Sequence, residues 1–285
     1  MPKGIWLGFV AFAAYAISDA CAKAMHGALP PYEMGFFGAL FSAVLLPFVW
    51  RADTTPVDLV VARRQWLWLL RGALSVFSTV TSVLAFTYLT MAEAFSLIFI
   101  MPLATTALSV VLLKERVEKA GWLAVLLGFA GVLIVLRPGF REIGIGQWAG
   151  LGCGLSGSIL SVMLRYVGHS EKPMTQFGAA QLFPLIVFGL LSASHFVVPH
   201  PIQWVIIAGY AVLAAAGNLI LLFAGRLVPA SLLAPTQYSQ MLWGTAFGWL
   251  FFADRVDALT FVGIAVIVGA GLWLFLPKRA QKAVG

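Results

Sequence analysis

A triplet that closes one long apolar run, Glu115-Arg116-Val117, returns about 139 positions later as Asp254-Arg255-Val256, closing another. Each triplet is followed by a glycine-dotted apolar stretch that ends on a proline, Pro138 in one case and Pro277 in the other. The chain therefore reads as two copies, 1–139 and 140–285, each holding an odd number of apolar runs. If those runs cross a bilayer, the odd count inverts one copy relative to the other. Inverted copies with a site between them are the architecture of alternating-access carriers.

Composition fixes the surroundings. At 61% hydrophobic and 10% charged residues, the chain has too little polar surface to face water, and an integral membrane protein follows. Several runs reach the roughly 20 residues that a helix needs to cross the hydrocarbon layer, too long for barrel strands of about 10. Ten helices are predicted, at 4–25, 33–51, 66–89, 93–113, 120–136, 146–166, 174–194, 204–226, 229–252 and 258–276. The first is kept as a membrane helix and not a signal peptide, because Ser18, Asp19 and Lys23 interrupt its end.

The net charge of +7 comes from Lys and Arg in short connections, so it speaks for topology and against nucleic acid. With ten spans, all of the 18 Lys and Arg except Lys23, Arg137, Arg141 and Arg255 fall on the side shared by the termini. That bias places both termini in the cytoplasm, in a multi-pass protein of the cell inner membrane. Cys21 and Cys153 lie inside spans without CxxC or Cys/His spacing, so neither a disulfide nor a metal site is expected.

The second copy also carries polar residues at the depth of the first. A shift of 139 pairs Thr79 with Asn218, Phe99 with Tyr238 and Met101 with Gln240, and a shift near 142 pairs Lys23 with Arg165 and Asp19 with Ser161. Polar groups at membrane depth need protein, water or substrate around them, which points these positions toward a shared interior.

The five-plus-five plan, Glu115-Arg116 and Asp254-Arg255 at the ends of helices 4 and 9, and the following Gly121, Gly128, Gly131 and Pro138 resemble the drug/metabolite transporter superfamily, EamA type. Within it the chain is most similar to exporters of aromatic amino acids of the YddG type, which also remove planar cations such as paraquat. The second copy departs from the first in having Asp254 for Glu115 and Ala270 for Gly131. The resemblance implies a secondary exporter, with substrate, membrane lipid and no cofactor as its partners, working as a monomer. Together with the repeat, it leads to an all-α membrane fold: ten transmembrane helices in two inverted five-helix repeats. A central cavity lined by helices 1, 3, 4, 6, 8 and 9 is expected, with helices 5 and 10 at the periphery.

On helix 3, Ser75, Ser78, Thr79 and Ser82 share one face at i, i+3, i+4 and i+7. Such a stripe either lines an aqueous path or lets helices approach closely. The expected substrate-binding set is Tyr15, Ser78, Thr79, Ser82, Phe99, Met101, Ser158, Asn218, Gln237, Tyr238, Gln240 and Trp243. Pro102 and Pro235 are candidate gating kinks, since proline frees a backbone carbonyl and bends a helix. Asp19, an acid well inside an apolar run, is the coupling candidate. Its alternative is a local ion pair with Lys23 at i+4. Glu93 suits the opening turn of helix 4.

Gly152-Cys153-Gly154-Leu155-Ser156-Gly157 fits G-x-G-x-x-G, but it lies within a span and follows no strand, so helix packing accounts for it better than a dinucleotide. His26, His169, His195 and His200 sit in connections or at their edges, with no catalytic arrangement and no P-loop anywhere. A membrane enzyme of lipid or isoprenoid metabolism, or a receptor or scaffold, are the competing classes, and neither needs two exchangeable halves.

Overall fold

The computed structural model describes residues 3–25, 27–50, 54–114, 117, 119–137, 142–167, 171–193, 196–228 and 234–273. Glu115, Arg116, Pro138, Pro277, His26, His169 and His195 lie outside them, as does the 139/140 boundary. Helix occupies part of each predicted stretch: α1 Lys3–Ala24, α2 Pro31–Ser42, α3 Gln65–Tyr88, α4 Met91–Leu112, α5 Lys119–Leu136, α6 Ile145–Val167, α7 Met174–Ser192, α8 Pro201–Leu227, α9 Ser239–Phe252 and α10 Ala258–Trp273. Six of these, α1, α3, α4, α6, α7 and α8, are long and apolar enough to cross a membrane by length and composition, and α5 and α10 supply shorter apolar helices. Around the outside, Leu126, Leu190, Trp249 and Phe261 are 62–72% exposed, a surface that lipid covers at no cost and water would penalise.

Several helices are irregular for legible reasons. The backbone of α4 breaks at Phe99 and Ile100, just before Pro102, which has no N–H to donate and opens the second segment Met101–Leu112. Its start is held by a capping box in which the Glu93 N–H donates to Thr90 Oγ1 (3.2 Å). A π turn interrupts α7 at Gly178–Leu182. Of the stretch predicted at 229–252, residues 229–233 lie outside the described residues, Ala234–Tyr238 around Pro235 winds as a tighter 3-10 turn, and the α-helix of α9 runs from Ser239.

The packing has a symmetry of its own. The main partners are α1 with α8, α3 with α6, α5 with α10, α2 with α7, α4 with α6 and α9 with α1. Exchanging each helix for the one five places along maps this set onto itself. Two residues meet their own counterparts: Ser42 Oγ donates to Gln181 Oε1 (2.8 Å), and the Phe99 and Tyr238 rings lie 5.6 Å apart. Lys114 and Ala253, also counterparts, are both left-handed, with φ of 56° and 53°. An L-residue takes that conformation at a cost of about 1–2 kcal/mol. At Ala253 it ends α9 and turns the next residue, Asp254, back so that its N–H donates to the Gly248 carbonyl (3.0 Å).

The glycine series on α6 is a helix contact. A Cβ on Gly150 would stand 3.0 Å from Leu97, one on Gly157 would stand 2.6 Å from Met101 Sδ, and one on Gly154 would stand 2.8 Å from the Ile98 carbonyl oxygen at the α4 break. Backbone cannot retreat as a flexible side chain can. Gly154→Leu is therefore expected to destabilise the α4–α6 contact by about 1–3 kcal/mol, read as a lower unfolding temperature in detergent, whereas Leu155→Ala, at an exposed position on the same helix, should leave it within error.

At one end of the bundle the connection before α3 is tied to the one before α7. The Thr55 N–H (2.7 Å) and Lys172 Nζ (3.0 Å) both donate to Asp58 Oδ2 and hold its carboxyl below the usual carboxylate range.

Candidate functional site

Helix α3 is the spine of two chambers. Near its Gln65 end, Arg71, Ser75, Ser78 and Thr79 face a cavity of about 350 Å³, shared with Gly35, Gly38, Ala39 and Ser42 of α2, Gln181 and Phe188 of α7, and Tyr210 and Asn218 of α8. One turn further on, Ser82 and Phe86 face a second cavity of about 170 Å³. There they are joined by Asp19 of α1, Phe95, Phe99 and Met101 around the α4 break, Cys153 of α6, and Gln237 and Gln240. The hydroxyl face at i, i+3, i+4 and i+7 thus runs from one chamber into the next.

The lining helices differ from the expected six. Helices α2 and α7 form much of the larger chamber, and they do so with small residues that open space beside the backbone. Neither α5 nor α10 lines either chamber among the described residues.

Asp19 and Lys23 do not pair. Gln240 Nε2 donates to Asp19 Oδ2 (2.9 Å) across from α9. Lys23 instead reaches Asp254 Oδ2 (3.0 Å) and the Leu89 carbonyl (2.7 Å), and its ammonium lies 5.3 Å from the Phe252 ring centre. Asp254 Oδ2 also accepts from the Met91 N–H (2.9 Å). The i+4 geometry loses because the Leu89 carbonyl that ends α3 accepts from Lys23 while the far-off Asp254 accepts from both Lys23 and α4's free Met91 N–H, and the assembled set satisfies all four groups. This latch stands beyond the smaller chamber, at the Tyr88 end of α3, and joins α1, α3, α4 and the α9 cap.

Other expected site residues fall elsewhere. Ser158 is buried and turned back to donate to the Leu155 carbonyl (2.6 Å) of its own helix. Trp243 is 40% exposed on the outer face of α9, stacked on Phe247. Tyr15 packs against Gly217 of α8 beside Phe12, and Tyr238 packs against Phe99 and Gly271 of α10. None of these four lines either chamber. Asn218 does, with its Nδ2 donating to the Ala214 carbonyl (3.1 Å). Pro102 stands at a real break, and Pro235 lies in the 3-10 turn that leads to Gln237.

Sequence reasoning missed Arg71, Ser42, Gln181 and Glu33. Arg71 is one of the basic residues whose side bias gives only topology in the sequence, although it stands nearly two turns inside α3. Glu33 is a second buried acid beside Asp19: fully buried in the first turn of α2, it accepts the Val197 N–H (2.8 Å). Its place at a helix start was visible, but its burial depends on the α7–α8 connection folding over it.

Residues 2–137 match the model of the EamA-like transporter family. Over 286 residues the chain is 25% identical to the pseudopaline exporter CntI of Pseudomonas aeruginosa, covering 98% of each chain. It is 22% identical over 280 residues to the S-adenosylmethionine uptake transporter of Rickettsia felis, covering 97% of this chain and 93% of that one. A crystal structure of a protein 17% identical in sequence superposes with a TM-score of 0.66 over 99% of this chain and 98% of the other, a likeness of fold.

Proposed function

Since this chain belongs to the EamA-like transporter family of the drug/metabolite transporter superfamily, and is thus a membrane carrier of small metabolites and not an enzyme, we propose that it exports amino-acid-like metabolites from the cytoplasm by alternating access. The two halves, 1–139 and 140–285, are the exchanging units, inverted relative to one another in the inner membrane with both termini cytoplasmic. The observation that carries this reading is the series of two polar chambers along α3, closed at one end by the Lys23–Asp254 latch. The self-mapping packing and the contacts Ser42–Gln181 and Phe99–Tyr238 support a two-fold relation between the halves.

The relatives bear names of opposite direction, an exporter and an uptake carrier. Export is favoured here by the resemblance to amino acid exporters, and direction is set by the gradients applied. The test is solute counterflow in proteoliposomes, with labelled amino acids and paraquat offered separately. Movement of amino acids supports the reading, and a parent protein that moves no offered solute in either direction defeats it.

Cargo recognition is assigned to Ser78, Thr79 and Asn218 in the larger chamber and to Ser82, Gln237 and Gln240 in the smaller. Asn218→Leu removes a donor and acceptor from the chamber wall. Transport should fall about tenfold, the worth of one hydrogen bond to the cargo, with membrane yield and unfolding temperature unchanged. A parallel loss of protein from the membrane would assign Asn218 to packing.

A further inference from the structure

The larger chamber holds a fixed cation without a counter-charge. Arg71 lines it, Nε of Arg71 is buried with no hydrogen-bond partner, and among the described residues no carboxylate lies within ion-pair distance of its guanidinium. No acidic residue lines this chamber. Arg71 also borders the adjoining cleft that holds Glu171, but that carboxylate is already engaged by the Arg63 and Arg64 backbone N–H groups (3.2 Å each) and makes no ion pair with Arg71. Ser75 stands one turn along α3, and the bonded Ser42–Gln181 pair faces the same space.

A guanidinium whose Nε is buried without a partner is costly unless something anionic visits it. Its planar fork of donors matches a carboxylate in two parallel hydrogen bonds. We infer that Arg71 anchors a carboxylate of the transported metabolite in the larger chamber, so that the cargo is a zwitterion or organic acid and not a dication. The inference rests on the transport reading above. Arg71 and Ser82 are separated by roughly 16 Å of helix at about 1.5 Å per residue, and Asp19 lies in the chamber that Ser82 faces. A compact amino acid therefore meets Arg71 and Asp19 in succession, its carboxylate at the first and its ammonium at the second.

The test reads the chamber's charge directly. In the full chain with Cys21→Ser and Cys153→Ser, Ser75→Cys should react about tenfold faster with a sulfonate-bearing methanethiosulfonate than with its trimethylammonium analogue. Arg71→Gln should erase that preference and Arg71→Lys should keep it. Sodium benzoate should slow the sulfonate reaction in the Arg71 protein, and benzylamine should not. Equal rates with the two reagents, or a preference that survives Arg71→Gln, overturns the inference. Stronger protection by phenyl phosphate than by benzoate overturns the carboxylate assignment in favour of a phosphate-bearing cargo. Failure of the transport reading shows separately, as liposomes that move no solute while the thiol chemistry stays as expected.

Discussion

Lys23→Met is expected to open the Tyr88 end of the bundle. The pair it breaks is nearly dry, with side chains 7% and 11% exposed, and Asp254 would be left with a buried charge facing the Met91 N–H alone. Removing one member of such a pair costs about 3–5 kcal/mol, and the Leu89 carbonyl loses its donor as well. The closed arrangement should lose roughly two to four powers of ten in population relative to the open one. A cysteine at Ser82 in a background without Cys21 and Cys153 reports this as faster labelling from the side of the latch, together with collapse of gradient-driven transport. Asp254→Asn keeps an oxygen for the Met91 N–H and should have a smaller effect in the same direction. Unchanged labelling in Lys23→Met would show that the end is held shut by apolar packing, with the ion pair incidental.

The second large effect is expected at Asp19. Lys23 is committed to Asp254, and among the described residues no cation stands within ion-pair distance of Asp19. The groups that share its chamber are neutral: Gln240, which donates to it, with Gln237, Ser82 and Cys153. A carboxylate so placed has two uses, to take a proton or to take the cationic end of the cargo. Asp19→Asn should abolish accumulation driven by a pH gradient and preserve downhill exchange if the residue carries the proton. Equal gradient-driven accumulation in mutant and parent removes Asp19 from coupling. Loss of both modes assigns it to cargo binding.

The hydroxyl face of α3 was legible because a helical period needs no knowledge of neighbours, only of spacing. The break in α4 was legible for a similar reason, since proline acts on its own backbone. Ser158 and Trp243 were misplaced because their faces are settled by which helix lies alongside, and α6 turns its glycines toward α4 while α9 turns Trp243 outward. The Asp19–Lys23 spacing suggested a local pair, but Asp254 is 231 positions from Lys23 and could not compete in a local reading. Helices α2 and α7 gave no signal at all. Gly35, Gly38, Ala39 and Ala180 contribute to the larger chamber by what they lack, and empty volume leaves no chemical trace in a sequence.

The serine and threonine rungs of α3 also bear on speed. A hydroxyl both donates and accepts, and rungs at i+3 and i+4 stand about 4.5–6 Å apart along the helix. A solute moving from Ser75 past Ser78 and Thr79 to Ser82 can take up each new hydrogen bond before releasing the last. Between the charged ends at Arg71 and Asp19 no hydroxyl rung is then a deep well, and the climb from rung to rung is shallow. Such a path trades residence time for throughput: between its two charged ends it favours rapid passage and tolerance of varied side chains over tight selection of one solute.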